Sequence, residues 1–210
     1  INLSYPNLGD QLFGWGAIGV DLFFIISGFV ITLSAKKLNP GMSAVGVFLK
    51  HRARRIFPVY FTILLITFLL SGAMSTFHYP EKVNNFISAI TFSPIDANHA
   101  PFYVDDSGVY GIRWTLNYEV FFYLVMAVCL ISKYRWLLLL AVFSLSLVVF
   151  PMLAGHSPTL DVSGYQFNSA YLNVMTNPII WLFLVGVVFG LVYPYTKNQN
   201  NHFRIAILIL

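Results

Sequence analysis

Charged residues are scarce in this sequence. Lysine, arginine, aspartate and glutamate make up 10% of the 210 residues and hydrophobic residues make up 58%, whereas soluble domains have about 25% charged residues. This balance excludes a soluble protein. We predict an all-α polytopic helical membrane bundle, with one membrane-embedded domain over residues 1–210. The net charge of +4 then reflects loops that face anionic lipid, and we predict no nucleic-acid partner.

Cysteine and the common catalytic motifs are also lacking. Cys129 is the only cysteine, which excludes an internal disulfide and favours a packing role for this thiol. The sequence has no HExxH, CxxC or carboxylate cluster with metal-ligand spacing, no GxSxG elbow and no Walker motif. The five histidines all fall in predicted loops or at predicted interfaces. We therefore expect no metal site and no permanently bound cofactor.

Long hydrophobic runs are what the sequence has instead. A membrane-spanning helix needs about 20 apolar residues. Five stretches meet this roughly, namely Trp15–Ala35, Ile56–Ala73, Trp114–Ser132, Trp136–Ala154 and Tyr171–Tyr193, and a sixth begins near Phe203. Between the second and third, "VNNFISAITFSP" has helical spacing but is too short to cross, so we expect it to lie at the interface or to dip into the membrane. Because the chain starts without methionine and ends inside an apolar run, we expect it to be a piece of a longer protein.

The basic residues indicate how the spans are oriented. Ten of the twelve lie on one side of the predicted topology, six of them in the loop from Lys36 to Arg55, and no acid lies among them. By the positive-inside rule this side is cytoplasmic, and Ile1 starts on the outer side. Basic loops and acidic loops alternate strictly along the chain, which predicts a multi-pass protein.

Two acids, Asp21 and Glu119, lie inside predicted spans. Ionisable residues are rare there and usually mark functional sites. Each follows a tryptophan, Trp15 or Trp114, by five or six residues, and we take these tryptophans as markers of the outer interface. At 1.5 Å per residue, both acids would lie roughly 8–9 Å below that interface. We therefore expect both acids in the outer half of the membrane, on different helices.

The neighbours of Glu119 form a polar stripe. On a helix, Thr115, Glu119 and Tyr123 follow one another at four-residue spacing, so the acid should face the interior of the bundle. A protonated glutamate bonded to a neighbouring helix is the structural alternative, and we favour a functional role. For Asp21, which has several glycines around it, structural and catalytic roles are equally supported.

A basic run, "KHRARRIFPVY", precedes the second predicted span. Pro58 falls at the start of that span, where a helix tolerates proline. The run is explained by a topogenic signal beside anionic lipid, or by a phosphate clamp in which Arg52 and Arg55 project from one helical face. Charge alone favours the topogenic signal.

Three motifs in a fixed order carry a family resemblance. "GAIGVDLFFIISGFVI", "FLKHRARRIFPVYF" and "WTLNYEVFFYL" together resemble the acyltransferase-three family of bacterial integral-membrane O-acyltransferases, particularly its exopolysaccharide-modifying branch. The resemblance covers residues 12–125. It implies a protein of about ten spans in the bacterial inner membrane, of which five to six are present here. It also implies transfer of an acyl group, usually acetyl, from acyl-coenzyme A as co-substrate to a sugar hydroxyl of a surface or exported polysaccharide or a lipid-linked glycan.

The resemblance also assigns roles to particular residues. The R-x-x-R pair falls on Arg52 and Arg55, which implies that they bind the coenzyme A phosphates and reverses the preference for a topogenic signal. The motif acids fall on Glu119 and Asp21 as catalytic candidates. We expect the aromatic residues of the third motif to contact the sugar, namely Trp114, Tyr118 and Tyr123. The family's catalytic histidine belongs to a span expected before Ile1.

Two other classes of function stay open. A transporter for glycan or lipid-linked sugar would use the intramembrane acids as coupling sites, although the sequence shows no inverted repeat and no paired broken helices. A membrane scaffold of a polysaccharide-export assembly would not need Glu119. A requirement for acyl-coenzyme A separates the enzyme from both.

Overall fold

The computed structural model describes residues 16–70, 76–94 and 113–197, and every regular element in these ranges is helical. The elements are α1 (Gly16–Lys36), α2 (Met42–Leu70), α3 (Pro80–Thr91), α4 (Arg113–Cys129), α5 (Arg135–Ser144), which continues through a π-helical segment (Leu145–Val149) into α6 (Phe150–Leu153), α7 (Ala170–Thr176) and α8 (Ile180–Lys197). By length and composition four stretches can cross a membrane, namely Ile18–Lys36, Met42–Leu70, Arg135–Leu153 and Ala170–Tyr193, and Trp114–Cys129 is a shorter apolar helix. These overlap the five predicted spans and confirm a helical membrane bundle. The sixth span, expected near Phe203, lies outside the described residues.

Helix α2 begins earlier than the sequence analysis predicted. It starts at Met42, fourteen residues before the expected start of the span at Ile56, so most of the predicted basic loop is helical. Lysine and arginine are good helix formers, which explains the extension. Pro58 lies inside the helix and not at its start, and Thr62 Oγ1 donates to the Pro58 carbonyl at 2.7 Å. At 1.5 Å per residue the helix is about 43 Å long, longer than the hydrocarbon core of about 30 Å.

The fifth predicted span is interrupted between α7 and α8. Asn177 has an extended backbone, with φ −68° and ψ 130°, because a residue that precedes a proline, here Pro178, is disfavoured in the helical region. The Asn177 side chain hydrogen-bonds to one backbone group at the break and to one in the segment before α7. Its Oδ1 accepts from the Ile179 N–H and its Nδ2 donates to the Val162 carbonyl, each at 2.9 Å. The span predicted over Tyr171–Tyr193 is therefore confirmed as an apolar stretch long enough to cross a membrane, and it consists of two helices joined at Asn177.

The first of two compact units contains residues 16–34 and 181–197, that is, α1 and most of α8. The two backbones approach so closely that glycine is required at the contact. A Cβ added at Gly28 would lie 2.2 Å from the Phe183 carbonyl oxygen, and one at Gly186 would lie 2.0 Å from the Ile25 carbonyl oxygen. Small residues permit such contacts between membrane helices.

The contacts within this unit also give the direction of its helices. Gly28 lies against Phe183, and four residues later Thr32 lies against Gly190. The contacts advance in the same direction along both helices, so α1 and α8 are parallel. The predicted alternation requires this of the first and fifth spans.

Residues 35–180 form the second unit, in which several helix ends meet. Arg135 Nη1 donates to the carbonyls of Ala35 (3.0 Å) and Leu38 (2.8 Å). The Gly41 N–H donates to the Leu130 carbonyl at 3.0 Å. The turn before α2 and the turn between α4 and α5 therefore lie at one common end, which is the basic side in the predicted topology.

Helix α3 forms part of the connection between α2 and α4 and packs on α2. It confirms the helical spacing that the sequence shows in this connection. The Tyr60 hydroxyl donates to the Ala89 carbonyl at 2.8 Å, and the rings of Phe68 and Phe86 stack at 4.7 Å between centroids. These contacts attach α3 along the later part of α2.

Candidate functional site

Glu119 lies on α4 with 6% of its surface exposed. The Tyr123 hydroxyl, one turn later, donates to Glu119 Oε1 at 2.5 Å. The two side chains meet because residues four apart lie on one face of a helix. The predicted polar stripe is therefore confirmed for this pair, and the carboxylate faces the interior of the second unit.

Arg52 reaches the same place from α2. Its side chain is 6% exposed, and its guanidinium carbon lies 5.5 Å from the centroid of the Phe48 ring and 5.8 Å from that of the Tyr123 ring. These two rings are perpendicular, with centroids 6.2 Å apart. Arg52 also interacts electrostatically with Tyr123 and Glu119. A cation over aromatic faces and near a carboxylate is a favourable arrangement in an apolar interior. We call Arg52, Tyr123 and Glu119 the α2–α4 cluster.

The position of Arg52 inside α2 and near Glu119 corrects the expectation that Arg52 lies in a loop, whereas the depth expected for Glu119 in the membrane stays a prediction. Arg52 comes ten residues after Met42 and Glu119 ten residues before Cys129. Gly41 precedes Met42 and Leu130 follows Cys129, and these two residues are joined by the backbone hydrogen bond described above. Both residues therefore lie about 15 Å along their helices from a common end. The error arose because the basic run was taken for a loop.

The second arginine of the R-x-x-R pair differs from the first. Arg55 is exposed, whereas Arg52 is buried, although the two guanidinium groups are close enough to interact. A clamp that uses both side chains on one open surface is not what the structure presents. The role of each in binding phosphate stays a prediction.

The aromatic residues expected to contact sugar are mostly enclosed. Tyr118 has no exposed surface, and its ring meets that of Trp114 at 89° with centroids 6.1 Å apart. Tyr123 is 5% exposed and belongs to the α2–α4 cluster. In this structure Trp114, which is partly exposed, has the most accessible ring of the three.

Asn117 is a buried polar residue of α4 that the sequence analysis did not single out. Its side chain is 5% exposed, and no described residue donates a hydrogen bond to its Oδ1. A buried carbonyl without a donor costs about 1–3 kcal/mol, and because residues two apart on a helix do not share a face, Asn117 does not line the same face of α4 as Glu119. The signal available in the sequence was an amide in an otherwise apolar helix.

Asp21 is exposed on α1 and belongs to the first unit, whereas Glu119 belongs to the second. Its role as a catalytic candidate stays a prediction. The chemistry that the described residues offer is therefore that of the α2–α4 cluster: a buried carboxylate that accepts a hydrogen bond from a phenol beside a guanidinium. Such a group can orient a hydroxyl or an imidazole for proton transfer.

Comparison with known proteins gives a consistent result. A family model described as an acyltransferase domain matches residues 1–210, the family that the three motifs indicated. No solved structure matches the chain.

Three relatives are similar to this chain over about half of their own length. The exopolysaccharide production protein ExoZ of Rhizobium meliloti (strain 1021) is 30% identical over 181 residues, which cover 83% of this chain and 50% of that protein. Nodulation protein 10 of Rhizobium leguminosarum bv. viciae is 29% identical over 209 residues, covering 88% and 53% respectively. The O-acetyl transferase of Shigella phage Sf6 is 32% identical over 149 residues, covering 65% and 44%.

Proposed function

The chain belongs to the acyltransferase-three family, and on this basis we propose that the whole protein is a membrane O-acyltransferase. It transfers an acyl group, most simply acetyl, from acyl-coenzyme A to a sugar hydroxyl of a cell-surface or exported polysaccharide or a lipid-linked glycan. The names of two relatives, an exopolysaccharide production protein and an O-acetyl transferase, support this class of reaction. The predicted topology supports a bacterial inner membrane location with the basic loops in the cytoplasm.

The observation that carries the proposal is the α2–α4 cluster. Intramembrane acids and cations that pair with each other are costly to bury and mark functional sites. In the reaction, the sugar oxygen forms a bond to the acyl carbon, the carbon–sulfur bond of the thioester breaks, and the hydroxyl proton passes through a base to the coenzyme A thiolate. Glu119 orients either the acceptor hydroxyl or the base, which the family resemblance assigns to a histidine.

The donor side of the site is proposed from the basic face of α2. Acyl-coenzyme A carries phosphates, which arginine binds with good geometry. Arg55 is exposed on this face and is the more accessible of the two arginines that the family resemblance assigns to the phosphates. The acyl group then enters the unit toward Glu119.

A transporter for lipid-linked glycan is the second candidate, and the break between α7 and α8 is the observation that favours it. Interrupted membrane helices line the substrate sites of many transporters, where they usually occur as a pair related by an inverted repeat. The break at Asn177 has no counterpart of this kind in the described helices. A scaffold protein, the third alternative, would tolerate the loss of Glu119.

The test uses membranes that contain the whole protein, supplied with radiolabelled acetyl-coenzyme A and a glycan extract. Wild type, Glu119→Gln and the exposed-acid control Glu81→Gln are compared at equal amounts of folded protein. We expect label to move to glycan with wild type and the control and to be lost with Glu119→Gln. Transfer by all three would remove Glu119 from the site, and no transfer by folded wild type would favour the transporter.

A further inference from the structure

Arg52 and Tyr123 have surroundings that do not suit ligand binding. From this geometry we infer that both are positioning residues, which hold the Glu119 carboxylate in one orientation, and that neither binds the donor phosphates or the sugar. The inference rests on the proposed function and refines its site. It separates the two arginines of the R-x-x-R pair, which the family resemblance treats as one unit.

The burial of Arg52 does not suit phosphate binding. Arg52 is 6% exposed and its guanidinium lies over the rings of Phe48 and Tyr123. A polyphosphate that bound there would have to leave water and enter a ring-lined space, which is costly for a multiply charged group. Arg55, one turn later on the same helix, is exposed and meets no such restriction.

Contacts between α2 and α4 link Arg52 to Glu119 through Tyr123. Phe48 and Arg52 lie on α2, whereas Tyr123 and Glu119 lie on α4. The Tyr123 hydroxyl is committed to Glu119 Oε1, and its ring is in contact with Arg52. The position of the Tyr123 ring therefore fixes the direction from which the carboxylate is held, and the Arg52 guanidinium interacts electrostatically with Tyr123 and Glu119. A shift of the Arg52 or Tyr123 side chain would therefore displace the Glu119 carboxylate.

The expected size of the effect follows from geometry. A misplacement of about 1 Å in a catalytic arrangement can cost on the order of 100-fold in rate. We expect Tyr123→Phe, which keeps the ring and removes only the hydroxyl, and Arg52→Lys, which keeps the charge and removes the planar contact, each to lower kcat by about 10- to 100-fold. The KM for acetyl-coenzyme A should stay within about twofold, because neither residue contacts the donor in this proposal.

The experiment measures kcat and KM of the whole protein in proteoliposomes for both variants, for the double variant and for Lys82→Gln, an exposed charge on α3 that serves as a control. Because both residues act through one carboxylate, the double variant should lose less than the product of the two single losses. The control should match wild type.

Several results would overturn the inference. A raised KM for acetyl-coenzyme A with unchanged kcat in Arg52→Lys would make Arg52 a donor contact. Losses that multiply in the double variant would make the two residues independent. If Arg52→Lys does not fold, Tyr123→Phe decides alone, and an unchanged kcat there refutes the role of the hydroxyl. Folded wild type that transfers nothing would overturn the proposed function itself, and the inference with it.

Discussion

The closest backbone contact in the first unit predicts that a larger residue there lowers the stability of the protein. In Gly186→Ala the new Cβ would lie 2.0 Å from the Ile25 carbonyl oxygen and 2.9 Å from the Phe29 nitrogen, whereas an ordinary contact is 3.4 Å or more. Both neighbours are backbone atoms, so no side-chain rotation relieves the clash and α1 and α8 must separate. Overpacking costs about 1–3 kcal/mol and occasionally more. This exceeds the roughly 1 kcal/mol that alanine gains over glycine in a helix.

We therefore expect Gly186→Ala to lose about 2 kcal/mol of stability, which corresponds to a fall in melting temperature of roughly 4–8 °C for a chain of this size. The assay heats the whole protein in detergent and follows the monodisperse fraction by size exclusion. Gly19→Ala and Gly46→Ala are matched controls, since a Cβ at either meets nothing within 4 Å. They should melt at or above the wild-type temperature. Gly186→Ala melting with the controls would refute the close packing of α1 against α8.

Further predictions concern single hydrogen bonds. Arg135→Gln removes two charge-assisted bonds to carbonyls at the end of α1 and in the turn after it, each worth about 1.5–3 kcal/mol, so its melting temperature should fall while that of the exposed neighbour Lys133→Gln should not. Equal melting temperatures would contradict the contact between these helix ends. Tyr60→Phe removes the bond to α3, worth about 1 kcal/mol, so amide exchange in α3 should accelerate roughly fivefold, and unchanged exchange would show that ring packing alone holds α3. Asn117→Leu should melt no lower than wild type, because no described donor is lost; a fall in its melting temperature would show that Asn117 Oδ1 has a donor.

The sequence by itself determined the class of the protein. So few charges among so many apolar residues exclude a soluble surface, and the length of each apolar run predicts a span without any tertiary information. The meeting of Glu119 with Tyr123 was likewise predictable, because contacts four residues apart depend only on helix geometry. The family motifs also lie in the sequence, since they are short and their order is fixed.

The sequence indicates the break at Asn177 only in part. Pro178 marks a probable helix end to any reader of the sequence, but a membrane helix often continues past proline with a kink. Here the backbone leaves the helix because the Asn177 amide finds a carbonyl fifteen residues earlier, at Val162, and an N–H two residues later. The first of these partners is supplied by the tertiary structure.

Tertiary structure alone decided that Arg52 stands beside Glu119. In the sequence the two residues are far apart and belong to different motifs; charge patterning placed Arg52 in a cytoplasmic loop, and the spacing from Trp114 placed Glu119 inside a span. The common helix end formed by Gly41 and Leu130 sets the relative level of α2 and α4, and a residue's depth depends on where its helix begins. Local propensity fixes which residues are helical, but the alignment of one helix along another is set by contacts between residues distant in the chain, and only the folded structure contains them.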